Sequence, residues 1–227
     1  MRRTASPPRP DWPQVLDDAG VRFHSSEGAY WREDVCYRFE EAEVLELERA
    51  TEELHAMCLQ VVDDVIARDR FADLHIPPAC RDAIRRSWDQ DAPSLYGRFD
   101  LWFDGRQPPR MLEYNADTPT SLIEASVAQW HWLETVRPDA DQFNSIHDKL
   151  VARWRELAAR RAGGVYLAGL ADHQEDAQTV SYLEDTARQA GVETRSVPID
   201  EIGWDQAAGQ FVDQVDRPIG TLFKLYP

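Results

Sequence analysis

Cysteine is scarce in this chain, and the three that occur, Cys36, Cys58 and Cys80, lie far apart. An odd count without a Cys-x-x-Cys pair argues against a disulfide framework or a thiolate zinc site and fits a reduced, cytoplasmic setting. Apolar residues never run on for the roughly 18 positions that a membrane helix needs. The opening Met-Arg-Arg-Thr-Ala-Ser-Pro-Pro-Arg-Pro has an Arg pair but no apolar stretch behind it, so no export signal is expected. Basic charge is short too: 25 Lys and Arg stand against 41 Asp and Glu, a net charge of −16. That balance disfavours nonspecific binding to nucleic acid or to anionic membranes. It also means that a phosphate or carboxylate ligand must be met by local arginines, metal ions or helix N-termini. No strand is followed by Gly-x-Gly-x-x-Gly, and no glycine-rich phosphate loop occurs. His24, His75, His131, His147 and His173 are scattered without metal-ligand spacing, and no Ser, His or Cys arrangement suggests a nucleophile.

A hydrophobic fraction of 43% with eight tryptophans is enough for a folded core in one domain or two packed ones. The proline-rich start predicts a flexible leader over 1–28. From Glu40 to Arg68, Val44, Leu47, Leu54, Met57, Cys58, Val61, Val65 and Ile66 recur at helical spacing, which predicts a long amphipathic helix with a core-facing stripe. His55 within it reads as a surface or packed histidine. A short helix is expected over 81–88, after Pro77 and Pro78, and another over 142–161. At Gly163-Gly164 the pattern changes. Val165-Tyr-Leu-Ala-Gly-Leu predicts a buried strand, 176–190 a helix ended by Gly191, and 193–199 a second strand, a Rossmann-like βαβ segment over 162–227. Residues 211–226 read as a hairpin with its turn near Asp216-Arg217-Pro218.

Residues 96–116 carry the chemistry. Two alternating apolar runs flank a turn rich in Asp104, Gly105, Pro108 and Pro109, which predicts a β-hairpin. Asp100 sits on the first strand, and Glu113 and Asn115 share a face of the second because strands have a period of two. Hairpin pairing can bring Asp100 beside them. Three hard oxygen donors on a rigid support suit Mg²⁺. Arg98 shares the face of Asp100: its planar fork could grip a transferring phosphoryl group, or it could form an ordinary salt bridge with Asp100 or Glu113. Thr118-Pro119-Thr120-Ser121 is expected to open the next helix, with Thr118 as cap, Pro119 in the first turn and Ser121 with Glu124 as a capping box. Leu122, Ile123, Val127, Trp130 and Leu133 would form its apolar side.

The hairpin resembles the metal-binding hairpin of ATP-grasp ligases, with Asp on one strand and Glu-x-Asn on the next. The string Glu-Tyr-Asn-Ala-Asp-Thr-Pro-Thr-Ser-Leu, with Gln129-Trp130 behind it, is similar to the synthetase domain of the glutathionylspermidine synthase family. The resemblance extends from about Tyr30-Trp31 to Phe223-Lys224. It implies an α+β or α/β fold: an ATP-grasp-like region with the metal-binding hairpin and long helices over 29–161, then a Rossmann-like pre-ATP-grasp βαβ segment. It also implies an ATP- and Mg²⁺-dependent ligase that joins a peptide or amino-acid carboxylate to an amine through an acyl-phosphate. Asp100, Glu113 and Asn115 would hold Mg²⁺, with Arg98 and Asp100 facing the nucleotide. Thr118 and Thr120 would bind the acid, and Glu175 and Asp176 would lie near the amine. In this branch the nucleotide clamp comes after the hairpin. The chain is therefore expected to be an N-terminal part, completed by a missing C-terminal half or a companion chain. The alternative is a truncated, noncatalytic metal- or substrate-binding module.

Overall fold

The computed structural model describes every residue except 26, 27, 29, 161–163, 171 and 227. The elements, in order, are β1 (Arg2–Ala5), α1 (Trp12–Asp18), β2 (Val35–Arg38), α2 (Glu41–Ala67), α3 (Pro78–Asp89), β3 (Arg98–Trp102), β4 (Arg110–Asn115), α4 (Gln129–Val136), α5 (Ile146–Arg160), β5 (Val165–Gly169), α6 (Gln174–Gln189), β6 (Thr194–Pro198), β7 (Gly203–Asp205), β8 (Gln210–Val212) and β9 (Leu222–Leu225). A 3₁₀ turn, Arg70–Leu74, follows α2, and a π-helical turn, Glu124–Ala128, runs into α4. This is a mixed α/β chain. It divides into one unit of Met1–Arg2, Arg38–Ser94 and Phe99–Tyr114, and another of Arg3–Tyr37, Leu95–Arg98 and Asn115–Pro227. The breaks expected at 28/29 and 161/162 touch Ala29 and residues 161–163, which lie outside the described residues.

In the first unit, Glu40 and Glu43 cap the start of α2 reciprocally, satisfying backbone N–H groups that have no partner within the helix. The helix forms as expected, but its stripe is not a core. Val65 is its one buried residue among those described, while Met57 and Val61 are each 58% exposed. Periodicity specifies a face, not a neighbour to cover it. The other buried apolar side chain of this unit is Phe71, with the guanidinium of Arg85 4.7 Å from its ring centre. Strands β3 and β4 form a two-stranded sheet.

The second unit holds the buried clusters. Its sheet has the order β6-β5-β9 and is parallel throughout, with Gly169 level with Pro198 on one side and Leu225 on the other. Leu167, Leu183, Ala187, Leu225 and Trp154 pack α5 and α6 against one face; Tyr166, Ala168 and Val197 form the other. Helix α6 begins at Gln174, because the His173 ring accepts the Asp176 amide at 3.3 Å, and it stops before Gly191, whose φ of +82° suits a left-handed helix end. Helix α5 starts later than expected, since Asn144 accepts the Ile146 amide at its N-terminus.

Two further expectations are corrected. The hairpin over 211–226 is formed only at its turn: Val212 bridges Pro218 antiparallel and the Ile219 amide donates to the Phe211 carbonyl at 2.8 Å, but β8 pairs antiparallel with β7 and β9 leaves to join β5 in the parallel sheet, where Leu225 is buried. Residues 1–28 are not a featureless leader either. They contain β1 and α1 and bury Leu16, Val21 and Phe23 against Ile123 and Ala128, with Arg9 and Glu33 buried as an ion pair at 2.6 Å. Proline-rich composition masked an apolar spacing too sparse to read.

Candidate functional site

The hairpin's strand faces are set by its aromatics. Phe99 and Tyr114 stack with ring centres 3.9 Å apart and planes within 11°, so they share one face. Strand alternation then turns Asp100 and Glu113 together to the opposite face. The Tyr114 hydroxyl lies 3.2 Å from His55 Nδ1 on α2, which ties the aromatic face down inside the first unit and gives His55 a packing role. Arg98 and Asn115, at the ends of the same strands, are counted with the second unit. No group of three or more His, Cys, Asp or Glu able to hold a metal occurs among the described residues. The expected set, two carboxylates and an amide, is of another composition. Its donors are hard oxygens, which fit Mg²⁺.

Beyond β4 the chain does not enter a helix at Thr118. Residues 117–121 form a loop, and helical winding starts at Leu122. Pro119 disfavours helical backbone in the residue before it, and Ser121 takes a φ of +68°, so the expected cap and first turn are not made. Instead the loop is held from outside. Lys224 on β9 donates to Asp117 Oδ1 at 2.7 Å. The Tyr96 hydroxyl donates to the Pro119 carbonyl. Arg98 Nη1 reaches the carbonyl and hydroxyl oxygens of Thr120, each at 3.5 Å. Burial pushes the Tyr96 hydroxyl well above the ordinary tyrosine range; the charge of Asp176 adds to this and that of Arg98 opposes it. Three of the expected residues, Arg98, Thr120 and Asp176, thus act electrostatically or directly around one tyrosine and its loop.

The expected capping box of Ser121 and Glu124 is replaced as well. Glu124 is only 8% exposed and accepts a 2.6 Å hydrogen bond from the Tyr30 hydroxyl. Burial raises the Tyr30 hydroxyl, with Glu124 and Glu175 pushing in the same direction. Glu175 and Asp176 occupy the first turn of α6, where the helix dipole favours acids, and His173 Nδ1 lies 2.9 Å from Asp176 Oδ1. Gly169 ends β5 beside them. A Cβ there would come within 3.1 Å of Val180, so glycine lets α6 sit close to the strand. This is the carboxyl end of a parallel sheet, the edge at which open α/β sheets bind ligands.

The family model for the glutathionylspermidine synthase pre-ATP-grasp domain matches residues 3–227. The chain belongs to this family. It is 40% identical over its whole length to a Haemophilus influenzae protein provisionally named an acid–amine ligase, covering 59% of that protein. It is 32% identical to the bifunctional glutathionylspermidine synthetase/amidase of Escherichia coli, over 84% of this chain and 31% of that one. A solved glutathione synthetase-like effector from Globodera pallida, in its apo form, superposes with a TM-score of 0.49 at 12% identity, over 97% of this chain and 60% of the other. The chain thus spans less than two thirds of the length of each of these relatives. Within this pre-ATP-grasp chain, sequence reasoning missed Tyr96, Asp117, Lys224 and the Tyr30–Glu124 pair. Tyr96 had a signal, since it continues the alternation of Arg98 and Asp100; the pairing of Asp117 with Lys224 had none.

Proposed function

We propose that this chain carries the metal- and acid-binding part of a cytoplasmic ATP-dependent acid–amine ligase. A carboxylate oxygen of the acid attacks the γ-phosphorus of ATP, the bond to ADP breaks, and an acyl-phosphate results. The amine nitrogen then attacks the acyl carbon, phosphate leaves, and the nitrogen loses its proton as the amide forms. Asp100, Glu113 and Asn115 would hold Mg²⁺, which when bound neutralises charge on the phosphates. Arg98 faces the transferring phosphoryl group, and with Asp100 the nucleotide. Thr118 and Thr120 meet the acid, and Glu175 and Asp176 draw the cationic amine toward the carboxyl edge of the sheet. Glutathione-like peptides and polyamine-like amines are the substrate classes that the relatives' names suggest.

The observation that supports this reading is the Phe99–Tyr114 stack across the two strands, from which alternation puts Asp100 and Glu113 on a common face, in a chain of this family. The test is ADP release that requires both an acid and an amine. In Glu113→Gln of the full-length protein it is expected to vanish while the circular dichroism spectrum stays unchanged. Unaltered turnover in that variant ends the metal assignment.

A further inference from the structure

We propose that Tyr96 and Lys224 are positioning residues that hold the Asp117–Thr120 loop in the shape that receives the acid. The assignment to the acid rests on the function proposed above; the brace itself rests on geometry alone.

The loop has little means of holding itself. It makes no helical turn, and Ser121 at its end sits at a φ of +68°, a conformation a serine keeps only where its surroundings enforce it. The enforcement comes from two elements far away in sequence. On β9, Lys224 binds the Asp117 carboxylate and also donates to the Tyr226 carbonyl at 2.5 Å, which fixes its ammonium. From the lead into β3, Tyr96 binds the Pro119 carbonyl, a group that would otherwise be free to turn with the loop. The Tyr96 ring lies within 19° of parallel to that of Phe223, the neighbour of Lys224, with centres 6.3 Å apart. Both rings rest on the cluster around Leu167 and Leu225. The two braces therefore share one rigid support, the parallel sheet. Tyr96 precedes Arg98 by two residues, and Arg98 touches Thr120. Asp117, Pro119 and Thr120 are thus each held by a different side chain, with Thr118 between them. Neither Tyr96 nor Lys224 needs to touch the acid for this to work; each sets where Thr118 and Thr120 stand.

The test uses the whole protein with Tyr96→Phe, which keeps the ring and its packing, and Lys224→Met, with Lys224→Arg as the conservative rescue. Amide hydrogen exchange over 117–121 is expected to quicken in Tyr96→Phe and Lys224→Met but not in β5 or α6, and to return toward wild type in Lys224→Arg. Unchanged exchange in this segment overturns the brace whether or not the protein is a ligase. In the acid- and amine-dependent assay, KM for the acid is expected to rise roughly fivefold in Tyr96→Phe, the equilibrium effect of one net hydrogen bond. KM for ATP should hold. A rise shared equally by ATP, or no rise, overturns the assignment to the acid. If wild-type protein releases no ADP with any acid and amine, the ligase reading falls and takes the acid with it, while the exchange result still decides the brace.

Discussion

Removing the Tyr30 hydroxyl tests how a buried carboxylate is kept in place next to the loop. In Tyr30→Phe, Glu124 loses a 2.6 Å donor while remaining 8% exposed. A hydrogen bond to a charged group is worth about 1.5–3 kcal/mol. Tyr30 keeps 47% of its surface in solvent, so water competes for its hydroxyl and the low end applies, about 1.5 kcal/mol. For a chain of this size that is a fall in Tm of roughly 3–6 °C. Urea and thermal unfolding followed by tryptophan fluorescence measure both quantities. The companion variants are Glu124→Met and the double variant, because replacing both polar partners by apolar groups costs far less than stranding one. Coupling of about 1 kcal/mol or more between the two sites is expected. A loss under about 0.5 kcal/mol in Tyr30→Phe, or plain additivity in the cycle, would show that solvent already satisfies Glu124 and refute the reasoning.

Other consequences follow from the same geometry. Thr186→Val removes the acceptor of the Trp154 Nε1–H, 3.0 Å away in a fully buried setting, and should cost about 1–3 kcal/mol in urea unfolding. Leu167→Ala, at the centre of the parallel sheet, should cost about 2–5 kcal/mol, whereas Val61→Ser on the exposed side of α2 should stay within about 0.5 kcal/mol. The hydroxyls of Tyr30 and Tyr96 are both raised above their unfolded value, so the stability they confer is complete below about pH 10 and lost as pH rises toward their folded values. Alkaline unfolding curves should therefore be shallower in Tyr96→Phe than in wild type; equal slopes would count against the burial of that hydroxyl.

Local signals were legible and non-local ones were not. The βαβ segment could be read because Val165–Gly169 is a continuous apolar run and Gly191 stops the helix behind it. The two paired strands that carry Asp100 and Glu113 were legible from their alternation and from the turn residues between them. The partner of β9 was not, because Leu222–Leu225 pairs with a strand separated from it by α6, β6, β7 and β8, and its own apolar pattern suits a hairpin equally well. The helix start at Leu122 was misplaced because Thr-Pro-Thr-Ser carries every cue of a cap, and side chains from β9 and from the approach to β3 override those cues. The stripe of α2 showed the opposite failure, a correct pattern without the cover it seemed to promise.

The π-helical turn at Glu124–Ala128 has a consequence for the winding of the chain. Leu122 enters the cluster of the parallel sheet while Ile123, the next residue, enters the cluster built by Leu16 and Phe23. Gln142 and Asn144 donate to the carbonyls of Ala125 and Ser126 inside the widened turn. The turn thus acts as a spacer that keeps two cores in phase along one helix. Winding the same residues as regular α-helix would rotate Leu122 and Ile123 by one residue's step, about 100°, relative to α4. In this segment the winding of the backbone is under constraint as firmly as the identity of its residues, because the same residues in plain α-helix could seat only one of the two cores.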